Sequence, residues 1–206
     1  MVYSIFDNME RCTPDEVQRL LLLVPTQRRE QALRFKHIAG QFACLQSFVM
    51  LAELLAQQGI VLPPTTEFIY NEHGKPCLKG HPDLHFNLSH CKNAIAVVVD
   101  CQPVGIDVER FVSPSDSLLR YTLNDKELEE VQQSANPDQA FTHLWTRKEA
   151  LSKLQGTGLN NNLKQLLTDI PAGIQLDTTV NTEKHYICTV AHYAASVSFP
   201  CQEAER

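Results

Sequence analysis

The sequence predicts an α+β fold made of two halves of the same kind. Helical periodicity dominates residues 13–58 and returns after residue 113, and each helical part is followed by short runs rich in Val, Ile and Phe. A chain of 206 residues is long enough for one domain or for two small ones. The halves are therefore expected to pack either as one α+β unit or as two small, similar subdomains with a cleft between them.

The chain is predicted to begin with helices and to continue with strands. Residues 13–16 provide a threonine N-cap, a proline at the first helical position and a capping-box glutamate, so a helix is expected from there to about Leu23. A second helical pattern covers residues 27–58, and Gly40 is the position at which it would kink or split. Apolar runs between turn residues then predict strands at residues 67–70, 84–88, 94–100 and 104–109.

The second half repeats this order. An Asn-x-x-Glu capping signature opens a predicted helix at residues 125–133, and an Asn-Pro pair caps a longer helix over residues 137–155. Strand-like runs follow at about residues 173–177, 186–190 and 194–199.

Charge and cysteine content exclude several classes of protein. The net charge is −6, whereas general binding to DNA or RNA needs a basic surface. The seven cysteines are scattered and form no C-x-x-C pair, which argues against a disulfide framework or a zinc ribbon and favours a reducing cytosol. The first ten residues do not resemble a signal peptide, and no apolar run approaches the ~20 residues of a membrane span. We therefore expect a cytoplasmic protein that binds neither nucleic acid nor membrane.

Two carboxylates alternate with apolar residues in the predicted strand at residues 104–109. Side chains two apart share a face, so Asp107 and Glu109 point one way while Ile106 and Val108 point the other. Neighbouring carboxylates repel each other unless a cation lies between them, and such oxygen ligands suit Mg²⁺, which takes one or two carboxylates together with substrate phosphates. The alternative is an edge strand with a solvated acidic face.

A stripe of three residues marks the helix predicted over residues 137–155. Trp145, Glu149 and Lys153 follow one another at intervals of four and lie on one side of the helix. The simplest interpretation is a surface ion pair between Glu149 and Lys153, worth only ~0.3–0.5 kcal/mol. The single tryptophan of the chain, one turn away, instead indicates a partly buried site.

Ser89 and His90 follow the predicted strand at residues 84–88. A hydroxyl and an imidazole at a strand end can bind phosphate oxygens or act as nucleophile and base, although no Gly-x-Ser-x-Gly pattern surrounds Ser89. Alternatively, both side chains could simply form hydrogen bonds within the protein at the end of the strand, with no role in binding or catalysis. The spacing of His81 and His85 relative to His90 does not bring the three imidazoles together around zinc.

Basic residues are concentrated in residues 24–45, which carry four bases and one acid. The bases are Arg28, Arg29, Arg34 and Lys36. Lys75, on a predicted turn, is a further candidate cation. Such a cluster either binds an anionic ligand or forms a solvated helix face.

Four motifs taken together carry a resemblance to a known family. They occur in the order Gly74-Lys75-Pro76-Cys77-Leu78, Phe86-Asn87-Leu88-Ser89-His90, Val104-Gly105-Ile106-Asp107-Val108-Glu109 and Trp145-Thr146-Arg147-Lys148-Glu149-Ala150-x-x-Lys153. The sequence resembles the 4′-phosphopantetheinyl transferase family, in its larger, pseudo-dimeric, Sfp-type class. The resemblance covers about residues 14–160, and the last two motifs are the most specific.

This resemblance implies a fold and a reaction. The fold would comprise subdomains 1–102 and 103–206, each a small β-sheet packed on a long helix, related by a pseudo-twofold axis with the active site in the cleft. The reaction would transfer the 4′-phosphopantetheine arm of coenzyme A (CoA) to a serine of an apo acyl or peptidyl carrier protein and release 3′,5′-ADP. Larger members usually act as monomers and serve secondary metabolism or siderophore assembly.

The resemblance also implies roles for individual residues. Asp107, Glu109 and Glu149 would be ligands of Mg²⁺, Glu149 would serve as general base, and Lys153 would stabilise the leaving phosphate. The residues expected to bind CoA are Arg28, Arg34, Lys36, Lys75, Pro76, Ser89, His90 and Lys153. One departure is that residues 41–46 carry no cation where family members usually have one.

Two other functions fit the same residues. A Mg²⁺-dependent hydrolase of CoA or another nucleotide diphosphate could use Glu149 and Lys153 on water. A non-catalytic module that binds CoA or a carrier protein is the third hypothesis.

Overall fold

Small antiparallel sheets packed with helices give the chain the mixed α+β fold that the sequence predicts. The computed structural model describes residues 1–156, 158 and 163–194, and within these ranges, besides a short 3-10 helix at Met9–Arg11, the chain forms eight strands and six α-helices. In chain order they are β1 (Val2–Phe6), α1 (Pro14–Leu21), α2 (Thr26–Leu33), α3 (Ile38–Gln57), β2 (Phe68–Tyr70), β3 (Pro76–Leu78), β4 (His85–His90), β5 (Ile95–Asp100), β6 (Gly105–Arg110), α4 (Asp116–Thr122), α5 (Asp125–Gln133), α6 (Pro137–Gln155), β7 (Ile174–Asn181) and β8 (Tyr186–Tyr193).

The N-terminal sheet has the strand order β1-β5-β4 and packs on the long helix α3. Its central strand β5 is buried on both faces, because Val97 and Val99 join the apolar cluster under α3 while Ala96 and Val98 join the cluster around β6. α3 is long and apolar enough to cross a membrane, but 61% of its most apolar window is buried within the fold. It is therefore the central helix of this core.

The C-terminal sheet has the order β6-β8-β7 and packs on the second long helix, α6. The approach of β6 to α6 depends on Gly105, where a Cβ atom would lie 2.1 Å from the carbonyl oxygen of Ala150 and 2.4 Å from the amide nitrogen of Leu154. Any side chain at this position would push the helix away from the strand. Gly105 thus fixes the spacing between the strand and the helix that carry the candidate site.

The two sheets meet where β4 lies beside β6, and side chains rather than a backbone ladder join them. The amide of Ile106 donates to Asn87 Oδ1 at 3.0 Å, and the amide of Val108 donates to Ser89 Oγ at 3.3 Å. Two short polar side chains on β4 therefore satisfy the free amides of β6 and fix the register between the halves.

The helix predicted over residues 27–58 is in fact two helices, and the prediction of a break at Gly40 is wrong. α2 ends at Leu33 and α3 begins at Ile38, with His37 in an extended conformation between them. Gly40 lies inside α3, where a Cβ atom would come within 2.8 Å of the Phe35 ring. The glycine lets the Phe35 side chain pack against the first turn of α3.

Other differences concern the strands. β1 and β3 were not predicted, and β7 and β8 extend further than the sequence indicated. Of the strand predicted at residues 194–199, residue 194 follows β8 and the remainder lies outside the described residues.

Candidate functional site

Asp107 lies at the centre of the junction between the halves. It is only 2% exposed, and its Oδ1 atom accepts hydrogen bonds from Ser89 Oγ at 2.9 Å and from Lys153 Nζ at 2.7 Å. Its other oxygen, Oδ2, is buried and has no hydrogen-bond partner among the described residues. An unpartnered buried carboxylate oxygen is costly, and it marks a position where a further positive or hydrogen-donating group fits.

The alternation predicted for β6 places this carboxylate as expected. Ile106 and Val108 are fully buried in the apolar cluster on one side of the strand, while Asp107 and Glu109 project from the other. That second face is not solvated at Asp107, because α6 packs over it at the distance that Gly105 allows. The geometry therefore disfavours the solvated acidic face as the explanation of this pattern.

Glu109 and Glu149 extend the cluster of negative charge around Asp107. Burial and the neighbouring Asp107 carboxylate raise the pKa of Glu109 to about 7, and Glu149 contributes to the same shift. Burial and Asp107 also raise the pKa of Glu149. Glu109 and Glu149, from β6 and α6, thus lie in the field of the Asp107 carboxylate, which opposes ionisation of both glutamates.

These carboxylates suit a hard divalent cation by their chemistry. Carboxylate oxygens are the ligands that Mg²⁺ prefers, and Asp107 Oδ2 is an unused oxygen at the centre of the set. Within the described part of the chain, no three His, Cys, Asp or Glu side chains are already arranged as a metal site. The donor set fits Mg²⁺, and the side chains would have to adjust to bind it.

Lys153 provides the cation that faces this cluster. Its ammonium binds Asp107 and also donates to Ser89 Oγ at 3.1 Å. The structure records no ion pair between Lys153 and Glu149 among the described residues, so the surface pair considered from the sequence is replaced by a bridge between α6, β6 and β4.

A cavity of about 300 Å³ opens beside Lys153, between the two halves. Glu149, Ser152 and Lys153 line it from α6, while Lys75 and Pro76 line it from the β2–β3 hairpin. The ammonium of Lys75 does not point into open space. It donates to three backbone carbonyls of the C-terminal half, and burial lowers the pKa of Lys75 to about 8.

Among the basic residues of the N-terminal cluster, Arg28 has an electrostatic effect on His90. Desolvation lowers the pKa of His90, and the positive charges of Lys153 and Arg28 lower it further, so the three groups share one field. Arg28 is nevertheless buried, and it donates to the Cys44 carbonyl and to Ser47 Oγ.

Arg34 and Lys36 occupy a different setting from Arg28. Both are exposed around the connection between α2 and α3, and no recorded contact among the described residues joins either one to the cavity. The structure therefore places Ser89 in contact with Lys153, with His90 next to Ser89 on β4, whereas Arg28 is hydrogen-bonded within the N-terminal half and the two exposed bases lie elsewhere.

Two residues of the motifs have structural roles that the sequence did not reveal. Asn87 accepts the amide of β6, as described above. Lys148 is fully buried, and its ammonium donates to the Thr122 carbonyl, to Glu127 Oε2 and to the Leu163 carbonyl, all at 2.7–2.8 Å. In the sequence, each is a polar residue at a position where the pattern of apolar residues predicts burial, but only the fold shows what each one contacts.

Comparison with known proteins gives a consistent family. A family model described as the 4′-phosphopantetheinyl transferase superfamily matches residues 103–199. The 4′-phosphopantetheinyl transferase Sfp of Bacillus subtilis (strain 168) is 29% identical over 162 residues, which cover 77% of this chain and 71% of that protein. Another Bacillus subtilis 4′-phosphopantetheinyl transferase is 30% identical over 163 residues, with the same coverage of both chains. The 4′-phosphopantetheinyl transferase AcpT of Salmonella typhimurium (strain LT2) is 38% identical over 102 residues, covering 46% of this chain and 52% of that protein.

Proposed function

Because this chain belongs to the 4′-phosphopantetheinyl transferase superfamily, we propose that it transfers the 4′-phosphopantetheine arm of CoA to a serine of an apo acyl or peptidyl carrier protein. The products are holo carrier protein and 3′,5′-ADP. The observation that carries the proposal is the buried Asp107 carboxylate. One of its oxygens binds Lys153, which lines the cavity between the halves, and the other has no partner among the described residues.

The proposed architecture has two subdomains, residues 1–102 and 103–206, related by a pseudo-twofold axis with the active site in the cleft. Each half contains a three-stranded antiparallel sheet and one long helix, of 20 residues in α3 and 19 in α6, which supports this arrangement. The proposed boundary falls in the connection between β5 and β6.

Asp107, Glu109 and Glu149 are proposed to hold Mg²⁺. The unpartnered Asp107 oxygen and the raised pKa values of both glutamates support this role, since a divalent cation would compensate the excess negative charge. When bound, Mg²⁺ would neutralise charge on the diphosphate of CoA.

Glu149 is proposed to act on the attacking serine, and Lys153 is proposed to act on the leaving phosphate. As the serine oxygen bonds to the phosphorus that carries the pantetheine arm, Glu149 accepts the serine proton, directly or through a water molecule. The position of Glu149 on the wall of the cavity supports this role. The phosphorus–oxygen bond to 3′,5′-ADP breaks, and Lys153 stabilises the charge that develops on the departing phosphate.

CoA is proposed to lie in the cavity between the halves. Lys75 and Pro76 line it from the hairpin. Ser89 and His90 lie at the end of β4, where Ser89 Oγ accepts a hydrogen bond from Lys153. The residues proposed to bind the CoA phosphates or nucleotide are Arg28, Arg34, Lys36, Lys75, Pro76, Ser89, His90 and Lys153. Arg28 is supported by its shared field with His90, whereas Arg34 and Lys36 are supported only by charge and exposure.

The remaining proposals concern the protein as a whole. CoA and an apo carrier protein are its proposed partners, with no nucleic acid or membrane, and it is proposed to act as a cytoplasmic monomer. The net charge of −6 supports the absence of nucleic acid, and the scattered cysteines support the cytoplasmic location.

Chromatographic analysis of CoA incubated with the protein and Mg²⁺, with and without an apo carrier protein, tests the proposed reaction. Transfer predicts that CoA is consumed and 3′,5′-ADP appears only when the carrier is present. Release of free phosphopantetheine without carrier would identify a hydrolase instead. Intact CoA with every class of apo carrier tested would leave only a binding module.

A further inference from the structure

The ammonium of Lys75 crosses from one half of the protein to the other. Lys75 belongs to the hairpin of the N-terminal half, and its Nζ atom lies 2.7 Å from the Lys153 carbonyl oxygen, 3.0 Å from that of Val104 and 3.3 Å from that of Leu154. An ammonium group has three N–H donors. All three have an acceptor here, so none is left for a ligand phosphate.

The turn that carries Lys75 is held in shape by Asn71. Asn71 Oδ1 accepts hydrogen bonds from the backbone amides of His73 and Lys75 at 3.0 and 2.8 Å. The backbone amide of Asn71 donates to the Lys75 carbonyl at 3.0 Å. The Asn71 side-chain nitrogen also donates to the Gly156 carbonyl just beyond α6, at 3.4 Å. The turn thus fixes the backbone of Lys75, so that only its side chain has to be ordered for the ammonium to reach its acceptors.

Two of the three acceptors of Lys75 are carbonyls in the last turn of α6. α6 ends at Gln155, so the carbonyls of Lys153 and Leu154 belong to its last turn and have no amide partner within the helix. A positive charge is favourable at the C-terminal end of a helix, where these carbonyls gather partial negative charge. The third acceptor, Val104, directly precedes β6.

We propose that Lys75 is a positioning residue: its ammonium caps the C-terminal end of α6 and holds it on the start of β6, and so sets the position of Lys153 against Asp107. Its ammonium does not bind a phosphate of CoA, so any contact that Lys75 makes with CoA in the cavity involves its other atoms. This inference rests on the proposed function, in which Lys153 acts on the leaving phosphate.

Lys184 provides a matched control for a purely structural role. It also joins the two halves, because its ammonium donates to the carbonyl and to the Oδ1 atom of Asp7, both at 3.0 Å. It lies in the turn between β7 and β8 and does not line the cavity. Lys184→Met therefore removes an inter-half contact without touching α6.

Hydrogen exchange of Lys75→Met and Lys184→Met tests the cap without reference to activity. We expect backbone amides in the last turn of α6 to exchange about tenfold faster in Lys75→Met, because a charged hydrogen-bonding partner of that turn is lost. The same peptides should be unchanged in Lys184→Met. Equal exchange of this turn in wild type and Lys75→Met would overturn the proposal.

Steady-state kinetics distinguish whether the Lys75 ammonium caps α6 or binds a phosphate of CoA. Lys75→Met should lower kcat with little change in KM for CoA, because Lys153 loses its position while the ligand loses no contact. Lys184→Met should leave both constants near wild type. A rise confined to KM for CoA in Lys75→Met would assign the ammonium to CoA binding and contradict the proposal.

Amine labelling of the wild-type protein, read by mass spectrometry, requires no variant to fold. Lys75 should be protected from acylation without CoA, and CoA should add no protection, whereas exposed Lys36 should react readily. Free labelling of Lys75 that stops when CoA is added would overturn the proposal. If the protein modifies no carrier but Lys75→Met still loosens α6, the cap stands and the proposed function fails.

Discussion

Lys153 Nζ lies 2.7 Å from Asp107 Oδ1, and this ion pair joins α6 to β6 at the junction of the two halves. The same carboxylate has a second, buried oxygen without a partner among the described residues. Asp107 therefore combines a fixed cation on one side with an unused oxygen ligand on the other. We therefore propose that one oxygen of Asp107 holds Lys153 and that the other binds Mg²⁺.

Asp107→Asn is predicted to abolish the response of the protein to Mg²⁺. Wild type should unfold at a higher temperature when Mg²⁺ is added, because a ligand that binds only the folded state stabilises it. The variant loses the central anionic oxygen, so its melting temperature should not change. Asp177→Asn, at an ion pair on β7 outside the cavity, is the control and should respond like wild type. A full Mg²⁺ response in Asp107→Asn would refute the assigned metal site.

Glu149→Gln is predicted to abolish transfer while the circular dichroism spectrum stays that of wild type. The substitution keeps the size of a half-buried side chain but removes the proposed base and metal ligand. Carrier modification by the purified variant provides the measurement. Full activity would show that Glu149 has neither role.

Lys153→Met is predicted to reduce kcat by about 100-fold or more, with a smaller effect on KM for CoA, because it removes a donor for the charge that develops on the leaving phosphate. Lys79→Met, at an exposed pair with Glu67, serves as control and should retain activity. If the loss in Lys153→Met appeared only in KM, Lys153 would be a binding residue.

The stability of the metal-free protein is predicted to depend on pH through Glu109. Its pKa rises from 4.5 to about 7 on folding, so between these values the folded protein binds a proton that the unfolded chain does not. Stability from this group is therefore present at low pH and is lost as pH rises through this window. Glu109→Gln should flatten that decline in urea unfolding with EDTA, whereas the exposed control Glu183→Gln should not. Equal slopes for Glu109→Gln and wild type would contradict the shift.

Lys148→Met is predicted to destabilise the fold by about 3–5 kcal/mol, because it leaves the Glu127 carboxylate and two carbonyls buried without their partner. The double variant with Glu127→Leu should lose less, since the uncompensated charge is gone. Urea unfolding measures both. A single variant within about 0.5 kcal/mol of wild type would show that the buried ammonium is not needed.

Local patterns predicted much of the secondary structure. Capping residues located the start of α1, and the predicted capping box of α5 is confirmed by the reciprocal bonds of Asn124 and Glu127. The break between α2 and α3 was misplaced because Gly40 lies inside α3, where the absence of a Cβ atom makes room for the Phe35 ring, and the chain leaves the helical conformation before it, with His37 extended. β3, of three residues, is too short to show a period.

The site was predicted less completely than the fold. Alternation in β6 correctly put Asp107 and Glu109 on one face, but their burial depends on α6, which is distant in sequence. The sequence of the turn could not predict where the Lys75 side chain points, because its hydrogen-bond acceptors lie 29 to 79 residues away along the chain. Sequence patterns identify the groups, whereas tertiary packing decides which charges remain available to a ligand.

Intact-mass spectrometry of an apo carrier protein tests the central claim most directly. The carrier is incubated with this protein, CoA and Mg²⁺, and parallel reactions contain EDTA or the Asp107→Asn variant. If the protein catalyses the proposed transfer, the carrier gains the mass of one phosphopantetheine arm in the complete reaction and gains nothing in the other two. An unchanged carrier mass in the complete reaction, across acyl and peptidyl carriers, would contradict it.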